Sequence, residues 1–151
     1  PRHMLIQYPH LVHDAHVAVV VSELTLAATR DTIRILAWLK SNAPQTKVVV
    51  VANRMPAGGA LEISRKDFEQ SIERGVDVVF PDDGKLAAQA AKLGKPMAEV
   101  AGGKISAPFS QLSGMVLSHA SEEGLAEAKP GAKSLVDNLK TMLSKPKDKA
   151  A

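Results

Sequence analysis

Cysteine is absent from this 151-residue chain. That excludes a disulfide framework and thiolate metal sites, and it suits a cytoplasmic protein. Aromatic residues are scarce at 3%, comprising Tyr8, Trp38, Phe68, Phe80 and Phe109. So few rings supply no stacking platform for single-stranded nucleic acid. Charge of one sign is lacking too: 19 Lys+Arg against 16 Asp+Glu leave a net +3. A surplus of that size is not the basic footprint of a nucleic-acid binder, so no nucleic-acid partner is expected. No apolar run approaches the roughly 20 residues of a membrane span, and no signal-peptide pattern opens the chain. There is no G-x-S-x-G elbow, and without cysteine no nucleophile constellation stands out. A start Met is missing as well. The chain opens on Pro1 and reads as the back part of something longer.

What is present is the composition of a single globular domain, 45% hydrophobic. Three runs, His16–Val21, Lys47–Ala52 and Val76–Phe80, are rich in Val, and two of them are nearly continuous. That is the pattern of parallel strands covered on both faces. Helical patterns lie between them. Thr25 is placed to cap a helix from Leu26 to Lys40, with Leu26, Ile33, Leu36 and Leu39 at helical spacing. Ser64-Arg65-Lys66-Asp67 resembles a capping box, with Phe68 and Ile72 one turn apart and Gly75 at a C-terminal glycine position. Asp83 can cap Gly84–Leu93, closed by Gly94 and Pro96. Alternation of this kind predicts an α/β fold, a partial Rossmann-like parallel sheet of about three strands with flanking helices.

Beyond Lys95 the pattern weakens. A loop holding Gly102-Gly103 and a short helix near Phe109–Leu117 are expected, followed by a linker over 121–131. The last helix, about Ala132–Ser144, carries Leu135, Val136, Leu139, Met142 and Leu143 on one stripe beside Lys133 and Lys140, and runs into a basic tail. Such a helix packs on its own domain or a second subunit. Residues 132–149 also offer a peripheral membrane contact, although no Trp or Phe is there to anchor it.

Candidate sites follow from chemistry. In open α/β sheets ligands lie at the carboxyl ends of strands. Here those ends carry Ser22-Glu23-Leu24-Thr25, Asn53-Arg54 and Pro81-Asp82-Asp83. The carboxamide of Asn53 both donates and accepts, which suits a purine edge. A turn role for Asn53 and a capping role for Asp83 are the plainer alternatives. His10, His13 and His16 are spaced by three with His3 nearby, but no acidic cluster completes a ligand pattern, so no metal site is expected. Arg30 and Arg34 lie one turn apart with Asp31 between them, forming a solvated face or a partner surface. A phosphate loop requires G-x-x-x-x-G-K-[ST]. Gly102-Gly103-Lys104-Ile105-Ser106 only mimics it, because Ala98 stands where the first glycine belongs and Ile105 where the hydroxyl belongs.

Taken in order, Pro1-Arg2, HVAVVVSELTLAATRDTIRILAWLK, VVVVANR, IS-x-x-x-F, VVFPDD, the Ala-rich helix and Leu93-Gly94-Lys95-Pro96 resemble the second half of the ParA/MinD-type deviant Walker ATPases. The similarity is greatest to the CpaE/TadZ pilus-assembly branch, in which Leu24–Asp31 matches a segment before a long helix. It covers roughly Pro1 to Pro96 and, more loosely, Phe109 to His119. The resemblance implies that Asn53, with Arg54 beside it, contributes to adenine recognition. Pro81, Asp82 and Asp83 would line the base pocket, and Thr25, Arg30, Asp31 and Arg34 would lie near a nucleotide-dependent dimer interface.

The same resemblance implies ATP/ADP and Mg as cofactors of a full-length parent, with none bound by this fragment. It implies a homodimer and, as partners, pilus or secretion-apparatus proteins. Its setting would be cytoplasmic, at the pole or peripheral to the membrane. The Walker A loop and the aspartate before Pro1-Arg2 are not in this sequence. What remains is an adenine-side half pocket that should not hydrolyse ATP, since phosphoryl transfer rests on positioning and charge stabilisation of the phosphates. The alternative is a catalytically silent interaction or dimerisation module. A half-sheet would also expose an edge, which favours self-association.

Overall fold

The computed structural model describes residues 2–56, 58, 61–100, 102 and 105–127. Two short helices, α1 (Arg2–Gln7) and α2 (His10–His13), precede β1 (Val17–Ser22), α3 (Leu26–Asn42) and β2 (Lys47–Met55). There follow α4 (Arg65–Ser71), β3 (Val78–Pro81), α5 (Gly84–Leu93), α6 (Met97–Val100) and α7 (Ser106–Glu127). The strands form one parallel sheet in the order β1-β2-β3, with Val17 opposite Lys47 and Val51 opposite Val78. This is the expected α/β architecture.

Central strand β2 explains the continuous Val run. Val49, Val50, Val51 and Ala52 are all at most 2% exposed, because both faces of that strand are covered. Val50 and Ala52 point to a core with Leu24, Phe68, Ile72 and Val76. Val49 and Val51 point the other way, to Val78 with Leu112 and Met115 of α7. A third cluster joins Val20, Leu39 and Ala43, and Val12 of α2 packs against it.

Helix α3 begins where its cap dictates: the Thr25 hydroxyl accepts from Ala28 N–H at 3.1 Å. Its buried stripe differs from the expected one. Leu26 and Ile33 face outward, 54% and 40% exposed, while Thr29 and Thr32 are buried. Their hydroxyls make this possible. Thr29 donates to Thr25 O at 2.7 Å, and Thr32 donates to the Ser22 hydroxyl at 2.9 Å, pinning the helix to the end of β1. At α4 the Ser64 hydroxyl accepts from Asp67 N–H and donates to Asp67 Oδ2, so the carboxylate does not reach the Ser64 backbone. The left-handed residue after α4 is Glu73, with φ of 54°, and not Gly75. Gly94 does close α5 in the left-handed conformation, with φ of 62°.

Helix α7 is much longer than the short helix expected near Phe109–Leu117, running through Glu127 and so into the first part of the span read as a linker. The amphipathic stretch 132–144 and the tail lie outside the described residues. No helix among those residues is long and apolar enough to cross a membrane.

Side chains stitch α4 to the segment just before β3. Glu69 accepts from Val76 N–H at 2.9 Å and pairs with Arg65 at 2.9 Å, while Arg65 also donates to Val76 O at 3.0 Å. The Val76 amide and the Arg65 guanidinium together hold the Glu69 carboxyl below the ordinary glutamate value. A depressed carboxylate stabilises the fold above the unfolded pKa of about 4.3, and that contribution is lost as pH falls through the lower folded value. Thermal unfolding followed between about pH 6 and pH 3 should therefore show a shallower acid limb for Glu69→Gln than for the wild type. Identical acid limbs would contradict this account.

Candidate functional site

The carboxyl ends of the three strands gather the residues singled out by sequence. Strand β2 continues three residues beyond its Val run, so Asn53 and Arg54 lie inside the strand and not after it. The β2–β3 register shifts between Ala52 and Met55, and Met55 then stands opposite Pro81. Asp82 N–H donates to Met55 O at 2.8 Å. Asn53 is two residues from that joint, about 7 Å along a strand. Asn53, Arg54, Pro81 and Asp82 thus converge on one end of the sheet, within the span of an ordinary ligand pocket.

The irregularity has a local cause. Arg54 adopts φ of 56°, a left-handed conformation that costs an L-residue about 1 kcal/mol or more. This residue is turned across the strand ends, where its guanidinium pairs with Glu23 at 3.3 Å. Both partners are exposed, so the pair is worth at most about 1 kcal/mol. Glu23 follows β1 directly, so the pair ties the first strand end to the second.

A second carboxylate joins this end. Glu62 accepts from Leu26 N–H at 3.1 Å, at the start of α3, and Ile63 N–H donates to Leu24 O. The segment before α4 is thereby drawn over the end of β1. Asp83 accepts from Leu86 N–H at 2.8 Å and is the cap of α5. Asp82 is exposed, and Asn53 and Pro81 are half-buried. Phe80 packs edge-on against Phe109 at 4.7 Å, closing the α7 side of the same end.

The electrostatic character is acidic, since Glu23, Glu62, Asp82 and Asp83 outnumber Arg54 and Lys85. The arrangement suits a neutral, hydrogen-bonding ring beside Asn53 and Pro81 better than it suits a bare phosphate. No group of three or more His, Asp or Glu among the described residues could hold a metal ion, the histidines of the first segment included.

Arg30, Asp31 and Arg34 lie on α3, while Thr25 precedes it, two residues after the Glu23 that pairs with Arg54. Thr25 caps the helix, and Arg34 pairs with Asp31 at 3.5 Å with both side chains exposed. Leu26, Arg30, Ile33 and Arg34 share one outward face of this helix. Sequence reasoning placed Glu23 at a strand end without giving it a role, and it missed Glu62. The acidic residue straight after the first strand and the arginine near the end of the second were a signal for the Glu23–Arg54 pair, but Glu62 carried none. Two cavities lie away from the strand ends, one between α3 and α4 near Lys40 and Arg74, the other along β1.

No protein-family model matches this sequence, and no curated protein does either. Solved structures similar to this chain include two. One is a ParA family ATPase from Chlorobium tepidum TLS, at 19% identity over 72% of this chain and 41% of that one, with a TM-score of 0.53. The other is the MinD cell division protein of Aquifex aeolicus, at 18% identity over 79% of this chain and 48% of that one, with the same TM-score. At that identity the likeness is one of fold: a three-stranded parallel sheet with flanking helices matches part of the sheet of both. This chain spans less than half the length of each.

Proposed function

We propose that this chain is the adenine-recognising portion of a ParA/MinD-type ATPase. The observation that supports it is the meeting of Asn53-Arg54 with Pro81-Asp82 at the carboxyl ends of adjacent parallel strands. Asn53 would read the base through its carboxamide, and Pro81 would pack on the ring. Asp82, exposed beside Pro81, would border the pocket, and Arg54, held by Glu23, would fix the strand end. The role of the chain is recognition rather than phosphoryl transfer, because its sequence holds no G-x-x-x-x-G-K-[ST]. ATP or ADP with magnesium would be the cofactors of the whole ATPase.

The finer assignment is to the CpaE/TadZ branch, in which ATP-dependent dimerisation positions a Flp/tad pilus or a related secretion system at the cell pole. It rests on the Leu24–Asp31 segment, and pilus or secretion-apparatus proteins would be the partners. A second reading, a silent interaction module, is favoured by the outward α3 face, where exposed Leu26 and Ile33 flank Arg30 and Arg34.

The test is an amide NMR titration with ADP and, separately, GDP. ADP is expected to shift Asn53, Arg54 and Asp82, and Asn53→Ala to weaken ADP binding about tenfold, as the loss of a paired carboxamide does. Absence of shifts at these positions, or equal shifts with GDP, would reject the adenine-side reading and leave the interaction module.

A further inference from the structure

Helices α3 and α4 share one face of the sheet, where Leu36 and Phe68 meet Val50 and Ala52. They differ in length. α3 has 17 residues and α4 has 7, so about 25 Å of helix stands beside about 10 Å. α4 stops at Ser71, and Glu73, with φ of 54°, turns the chain aside. A groove of about 530 Å³ opens there, between Ile33, Leu36, Ala37 and Lys40 of α3 and Ile72 and Arg74 after α4. Leu26, Ile33, Ala37 and Lys40 recur at helical spacing and form one stripe along α3. Leu26 and Ile33 on that stripe are exposed, so the apolar floor of the groove continues along the helix. Charge on its rim is unequal. Arg30 and Lys40 make no ion pair among the described residues, whereas Arg34 pairs with Asp31 and Arg74 with Asp77. Among those residues Glu73 is the one carboxylate that lines the groove.

We propose that this groove receives an acidic amphipathic helix of another protein. Its apolar side chains would rest on Ile33, Leu36 and Ile72, and its carboxylates would face Arg30 and Lys40. Charge complementarity selects this occupant. A second copy of α3 would bring Arg30, Arg34 and Lys40 against only Asp31, which is the same excess of cations. Residues 128–151 carry six lysines and two aspartates, so that segment also matches the rim in sign and is repelled by it. A flat anionic membrane fits a recessed floor poorly, and Glu73 opposes it.

The groove opens beside Thr46 and Val48, at the amino end of β2. Asn53 and Pro81 lie at the carboxyl ends. Binding here therefore goes beyond adenine recognition and does not depend on it.

The probes are three synthetic amphipathic helices of about 18 residues, close to the length of α3. They share one leucine stripe and differ in a polar face of Glu, Lys or Gln. Each is titrated into the full chain and followed by amide NMR. The Glu helix is expected to shift Ile33, Ala37, Lys40 and Glu73. It should bind at least about tenfold more tightly than the Lys helix, with the Gln helix between them, and added salt should narrow the gap. Lys40→Glu should remove the preference for the Glu helix. Ala37→Trp fills the groove without changing its charge and should weaken the Glu helix about tenfold or more. Both positions are exposed, and circular dichroism checks that both variants fold. Absence of shifts at the groove amides with about 1 mM Glu helix overturns the proposal, as does equal affinity for the Glu and Lys helices. Binding to anionic lipid vesicles that Lys40→Glu abolishes and Ala37→Trp leaves unchanged also overturns it, because the face would then read a membrane. None of these results alters the ADP titration, which reads the other end of the sheet.

Discussion

Phe68→Ala is expected to lower folding stability by about 3–5 kcal/mol, the usual cost of deleting a fully buried ring. Phe68 is 0% exposed and is the largest fully buried side chain of the protein's described part. It comes from the second turn of α4 and meets Val50 and Ala52 of β2, Leu24 after β1, and Ile72 and Val76 beyond its own helix. The space cannot readily close, because Val50 and Ala52 are held in the strand ladder and Val76 by its bonds to Glu69 and Arg65. Small domains are stable by only about 5–15 kcal/mol, so this single change removes a large part of the margin. The urea midpoint should fall sharply with the slope unchanged, and Phe68→Leu should recover most of the loss. A loss under about 1 kcal/mol would mean that the ring is not packed as described.

Asp77→Ala is expected to cost about 1–3 kcal/mol through a different mechanism. Asp77 precedes β3 and acts as a substitute strand residue. Its N–H donates to Val50 O at 2.9 Å, and its Oδ2 accepts from Val50 N–H at 2.7 Å. Val50 is 0% exposed, so its amide has no water to turn to when the carboxylate is removed. Arg74, which pairs with Asp77 at 3.7 Å and donates to Val48 O, would lose its partner as well. Asp77→Asn keeps an acceptor at the same place and should be much milder. Hydrogen exchange at Val50 gives the direct reading: faster in Asp77→Ala, near wild type in Asp77→Asn. Unchanged protection in Asp77→Ala would refute the arrangement.

The parts of the fold that could be read from the sequence are those decided locally. Continuous Val runs signal strands buried on both faces, and β2 is buried in that way. Thr25, Asp83 and Gly94 carry their capping roles in their own chemistry, and each fills that role. Errors arose where distant groups decide. The inward face of α3 is set by Thr29 and Thr32, whose hydroxyls are satisfied by Thr25 and Ser22, so a hydrophobic stripe through Leu26 and Ile33 misjudges it. Nothing local marks Glu73 rather than Gly75 as left-handed. The length of α7 was hidden because Ser113-Gly114 and Ser118–Glu123 break the apolar periodicity without breaking the helix.

The candidate site divides in the same way. Asn53, Arg54, Pro81 and Asp82 were legible because strand ends of a parallel sheet must lie side by side. The extension of β2 through a left-handed Arg54, and the Glu62 carboxylate at the start of α3, depend on contacts across the fold that no short window of sequence contains.

The order of the strands in space repeats their order along the chain. Among the described residues each new strand adds to the edge left by the previous one, and none is inserted between two strands already paired. Every strand partner is therefore the next strand along the chain, which keeps sequence separations short for a parallel sheet and favours rapid folding. It also permits assembly during synthesis, since β1 and β2 can pair around α3 as soon as Met55 has left the ribosome, well before α7 is made. Until α7 arrives, Val49 and Val51 have no cover. The interval between those two events is when the nascent chain is most exposed to aggregation.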